Sequence, residues 1–168
     1  MGATRWVPYT PQKRCTGGCG LDPNDALLSL SAILRKGDTP ISAHIVETDE
    51  RPVFGLLAAS GPRSAAAPGE YALVVEAVRE GYLLHYDEPR LLRGHDDDLA
   101  LLAGDYLYAL GIERLAALGD AEATALLAEL IGRCAQLHAE DRAAEEAALW
   151  RASALAIGGE EDGDRREA

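Results

Sequence analysis

The sequence is poor in the residues that build sheets and in those that attract polyanions. It has one Phe, and aromatics make up 5% of its 168 residues. Strands draw on aromatic and β-branched side chains, so an all-β fold is close to excluded. Cations number 16 against 28 carboxylates, a formal charge of −12. That argues against nucleic acid or an anionic membrane as a partner reached by broad electrostatics, because both are negative. No apolar run reaches the ~18–20 residues that a membrane span requires. Three cysteines cannot all pair within one chain. Residues 1–20 lack the apolar core of an export signal, so a cytoplasmic protein with reduced thiols is expected. Met1-Gly2 is followed by Trp6 where a myristoylation signal places Ser or Thr.

What the chain has in excess is Ala, at 30 residues, and Leu, at 25. Both lead the helix-propensity ranking, which predicts an all-α fold, read as an antiparallel helical bundle. Residues 1–20 read as a flexible tail, 21–158 as one helical domain and 159–168 as an acidic tail. Asp22-Pro23 reads as a cap followed by Pro at the first helical position, opening a helix that ends at Gly37. Residues 38–51 are ambiguous. Pro52 opens a short helix, and 61–69 reads as a loop. Three stronger helices come next: about Glu70 to His85, Asp96 to Leu118 with Gly119 at its end, and one capped by Asp120 that runs on to Ala156. The helix from Asp96 is apolar nearly all round, through Leu99, Leu102, Tyr106 and Leu110. Such a helix needs neighbours on all sides, more than one small domain supplies. A subunit interface over Leu99, Leu102, Tyr106 and Leu110 is therefore predicted.

Several groups suggest chemistry and have plainer readings. Asp96, Asp97 and Asp98 point in different directions on a helix, so they read as an N-terminal charge cluster rather than a metal site. Cys15 and Cys19 offer two thiol ligands where a structural site needs four, and Cys134 stands alone on an apolar face. Asp105 reads as a structural carboxylate, buried and either hydrogen-bonded to a neighbouring helix or capping a broken turn.

The run Leu99-Ala-Leu-Leu-Ala-Gly-Asp-Tyr-Leu-Tyr-Ala-Leu-Gly resembles the A-x-L-x-G-D-x-L-L-x-x-A helix of the trans-isoprenyl diphosphate synthases. Leu115-Ala-Ala-Leu-Gly-Asp is similar to the next stretch of that family. Leu83-Leu84-His85-Tyr86-Asp87 falls where the family has L-I-H-D-D-x-x-D. Arg93-Gly94 falls at its R-R-G, and Arg51-Pro52 at its G-G-K-R-x-R-P. The resemblance spans residues 47–137 in the family's order. It implies a partial isoprenoid-synthase-like fold and a diphosphate site reduced to Arg51, His85, Asp87, Arg90 and Arg93. It also extends the subunit interface to Leu127 and Ile131 on the helix capped by Asp120.

The departures matter more than the matches. Family enzymes bridge Mg²⁺ to the diphosphate with clustered Asp, since magnesium takes hard oxygen ligands. Tyr86 and Arg90 stand at two of those Asp positions, and a guanidinium has no lone pair to give. Thr48 and Asp49 replace the Lys and Arg that would meet isopentenyl diphosphate. The loop between Arg90 and Arg93 is shorter than usual. The family's second Asp-rich motif lies farther along a full enzyme than this sequence reaches. Without metal charge on the leaving group, ionisation of an allylic diphosphate is not supported. The resemblance therefore implies no catalytic or metal-binding residue in this chain. It implies the non-catalytic small subunit of a heterodimeric prenyl diphosphate synthase, which influences product chain length, with Mg²⁺ in the catalytic partner. Two alternatives remain open: a degenerate enzyme acting on a prenyl diphosphate, and a self-associating helical protein that binds a prenyl or other apolar ligand.

Overall fold

The computed structural model describes residues 20–37 and 39–160. The chain is all-α, with six α-helices among the described residues: α1 (Ala26–Lys36), α2 (Val53–Ala59), α3 (Pro68–Tyr86), α4 (Asp97–Leu118), α5 (Ala121–Ala139) and α6 (Glu146–Gly158). Cys15, Cys19, Trp6 and the end of the acidic tail lie outside the described residues. The caps obey local chemistry. Asp22 accepts the Asn24 amide at 2.9 Å, Asp96 the Leu99 amide at 2.8 Å and Asp120 the Ala123 amide at 2.9 Å, each satisfying a helix-start donor. Gly119 closes α4 with φ +77°, a left-handed turn that a side chain disfavours.

α3 is the central element. It packs against α1, α2, α4 and α5, and fourteen of its nineteen residues are buried, so it has no solvent face. Two apolar cores lie on either side of it. One joins Val74, Val75, Val78 and Tyr82 to Leu115, Leu127, Leu130 and Trp150. The other joins Ala77 and Leu84 to Leu27, Leu30 and Leu34 of α1 and to Ala100, Ala103 and Leu107 of α4. α3 and α4 come closest where Gly81 faces Gly104. A Cβ on Gly81 would sit 2.9 Å from the Gly104 carbonyl oxygen and 2.9 Å from the Tyr108 ring.

Two expectations are corrected and one open stretch is filled in. Residues 61–69 are not simply a loop: Arg63–Ala66 form a 3₁₀ turn, and α3 begins at Pro68. Residues 38–51, left ambiguous by the sequence, contain a 3₁₀ turn over Pro40–His44 and an isolated bridge between Ile45 and Leu92. The last long helix is two helices. Asp141 is left-handed at φ 56°. The Arg142 amide reaches back to the Leu137 carbonyl at 2.8 Å and that of Asp141 to His138 at 3.3 Å, a Schellman closure with Asp in the place usually held by Gly. Neither Gly nor Pro marks the break, because its driving force is tertiary. Turning back buries Trp150 to 1% exposure, against Phe54 and Tyr82 with ring centroids at 5.6 and 5.7 Å.

Candidate functional site

The five residues of the expected diphosphate remnant do not converge on one site. Arg90 is inward. Its Nη1 donates to Glu76 at 2.7 Å and its Nε to Glu80 at 3.0 Å. Both carboxylates are fully buried. Their other oxygens accept the Gly55 amide at 2.7 Å and the Leu91 amide at 2.6 Å. Buried charge persists only when paired and hydrogen-bonded, and this cluster meets that condition. Arg90 and the Leu91 amide thereby hold the 87–92 segment onto α3, and Glu76 holds the start of α2 there through the Gly55 amide. The two carboxylates already meet the charge of Arg90, so it offers a diphosphate little attraction.

The other four are scattered. Arg51 is exposed, at the rim of a surface cavity of about 230 Å³ that Arg79, Arg90, Glu50 and Glu88 also line. Two of the three arginines there are already committed to glutamates, Arg79 to Glu146 and Arg90 to Glu76 and Glu80. His85 has Nε2 3.3 Å from Asp105 and stacks on Tyr108. Asp87 accepts the Glu88 amide at 2.8 Å. Arg93 donates to the carbonyls of Pro89 and Leu92. The donor set does not fit a magnesium bridge: Asp87 has Tyr86 and Arg90, not carboxylates, at the other two positions of the motif.

Two expectations about α4 and α5 are corrected. Asp105 is not a buried carboxylate; its side chain is 76% exposed and meets His85 from the surface. The small residues around it, Ala103 and Gly104, form the buried contact instead. Leu127 is no interface residue, because it is fully buried in the chain's own core. Leu99, Leu110 and Ile131 are half-buried against those cores. Leu102 and Tyr106 do face solvent, at 67% and 40% exposure, beside Leu101 at 53%.

Sequence reasoning missed the most polar part of the interior. Arg79 lies over the rings of Phe54, Tyr82 and Trp150 at 5.4, 4.8 and 4.9 Å and pairs with Glu146. The Tyr82 hydroxyl donates to Glu146 and lies 2.6 Å from His138 Nε2. One hydroxyl has one proton, so His138 donates here. Burial first, and the Glu146 bond second, push the Tyr82 hydroxyl well above the usual phenol range. The available signal was Glu76, Arg79 and Glu80 in an otherwise apolar run. Charges inside such a run point to buried pairs.

The interior charges are paired and the cavity arginines are mostly neutralised. The outer face of α4 presents Leu101, Leu102, Tyr106 and Ala109 to solvent. No family model matches the chain, and neither a curated protein nor a solved structure does.

Proposed function

We propose that this protein is a non-catalytic association subunit of a prenyl diphosphate synthase, docking through the outer face of α4 and influencing the partner's product chain length. The observation that carries this reading is the exposure of Leu101, Leu102 and Tyr106 on a helix whose opposite face is fully engaged. Large apolar side chains clustered on one exposed face are the mark of an interaction surface. The resemblance of residues 47–137 to the synthase family supplies the partner's class. The commitment of Arg90 to Glu76 and Glu80 supports a non-catalytic role. The partner would be a full-length synthase that keeps its Asp-rich motifs and its Mg²⁺, and the pair would work in the cytoplasm.

Co-expression with such a synthase tests the reading. The two proteins are expected to co-purify, and Leu102→Asp to release the pair. Separate migration of the wild-type chains, with the synthase fully active alone, would overturn it.

A further inference from the structure

The outer face of α4 is also acidic, and this narrows what it can meet. Leu102, Tyr106, Ala109 and Glu113 succeed one another at steps of four, three and four, a single outward line on the helix. Asp98, Asp105 and Glu113 are exposed on or beside that line. Among the described residues Asp98 and Glu113 make no ion pair, and Asp105 meets only His85. The one cation of α4, Arg114, is turned away and held by Glu70, with Nη2 at 2.8 Å and Nε at 3.1 Å from it. The face is therefore an apolar stripe with an uncompensated acidic border.

Pairing with a second copy sets that border against itself. In an antiparallel arrangement centred between Asp105 and Tyr106, Asp98 opposes Glu113 and the two Asp105 carboxylates lie across the axis. In a parallel arrangement each carboxylate meets its own copy. The whole chain, at −12, adds repulsion of the same sign. An anionic bilayer is disfavoured on the same ground.

We infer that α4 selects a partner helix whose apolar stripe is bordered by Lys or Arg, and is set against pairing with a second copy of this chain. Complementary borders fix partner choice where the apolar contact alone does not. The inference rests on the reading of α4 as the docking face and adds which partner that face takes.

Two synthetic helical peptides with the same Leu/Ala stripe, one flanked by Lys and one by Glu, test it against the full chain. At low salt the Lys peptide is expected to bind at least ~10-fold tighter, and the gap to narrow as the screening length falls from ~30 Å at 0.01 M to ~8 Å at 0.15 M. Leu102→Asp is expected to abolish binding. The double variant Asp98→Lys/Glu113→Lys, checked for retained helicity, is expected to reverse the preference. Equal binding of both peptides, binding of neither, or a dimer of the free chain that Leu102→Asp dissolves would each overturn the inference. The two readings fail separately. If the double variant still co-purifies undiminished with a synthase, charge selection falls and the subunit role stands. If the peptides are discriminated but no synthase co-purifies, the subunit role falls and charge selection stands.

Discussion

α3 and α4 are neighbours of similar length with opposite fates. α4 has the more apolar sequence, yet only six of its twenty-two residues are buried. α3 carries Glu76, Arg79 and Glu80 in its middle, yet it is the helix at the centre. The difference shows that composition does not choose the central helix. Position does, and polar groups are tolerated there when each finds a partner. α3 meets this through Arg90, Glu146 and two backbone amides. α4 meets no such test on its outer side, where Leu102 is exposed and carries no polar cost.

The sharpest way to break the comparison is to remove the partner that lets α3 be central. Arg90→Met leaves Glu76 and Glu80 buried without their cation. Uncompensated buried charge of this kind costs about 3–5 kcal/mol. Urea unfolding should show that loss; a cost under ~1 kcal/mol would mean that the cluster relaxes to water. Adding Glu76→Leu and Glu80→Leu should recover only part of it, because the Gly55 and Leu91 amides lose their acceptors.

A smaller effect is expected at the seam between the two helices. In Gly81→Val the new side chain meets the Gly104 carbonyl and the Tyr108 ring at contact distances no packed Cβ adopts. Overpacking typically costs about 1–3 kcal/mol. Ala109→Val, on the exposed side of α4, should stay within about 0.5 kcal/mol of wild type. Equal costs at the two positions would erase the distinction between the faces.

Much of this fold was legible because caps and stops are local. Asp22-Pro23, Asp96, Gly119 and Asp120 announce helix ends by chemistry within a few residues. The α5–α6 break was not legible, because Asp141 turns the chain for the sake of Trp150, which packs on residues distant in sequence. The site was legible in part. The outward side chains Leu102 and Tyr106 are what a helix with too much apolar surface must show. Arg90 was not legible, since it lies in a loop and its partners are ten and fourteen positions back on α3. Asp105 was misread because the burial on that part of α4 falls on Ala103 and Gly104.

The interior should also announce itself at high pH. Burial, then the Asp120 bond, pushes the Tyr71 hydroxyl from 10.0 up to about 12. Burial, then the Glu146 carboxylate, pushes the Cys134 thiol from 9.0 up to about 12. Both groups are neutral when protonated, and the folded state holds its proton longer than the unfolded chain. Their contribution is fully present below pH 9 for Cys134 and below pH 10 for Tyr71, and is lost as pH rises to about 12. The urea midpoint should therefore fall between about pH 9 and about pH 11, and less steeply in Cys134→Ala. An identical slope in the two proteins would show that this thiol is not held in its protonated form.

The smallest effect on stability carries the most functional information. Leu102 is 67% exposed, so Leu102→Ser removes little burial, and surface changes of this kind stay within about 0.5 kcal/mol. If the outer face of α4 is a docking face, the same change must weaken association, because an exposed anchor becomes a buried one in the complex. The expected result is an unchanged melting curve beside a clear loss of synthase co-purification. Leu107→Ser, one face around the same helix and fully buried, should do the reverse, lowering stability by several kcal/mol through a lost side chain and an orphaned hydroxyl. Binding per folded molecule should then be spared. Loss of stability at Leu102, or loss of binding without loss of stability at Leu107, would place the docking face elsewhere on the molecule.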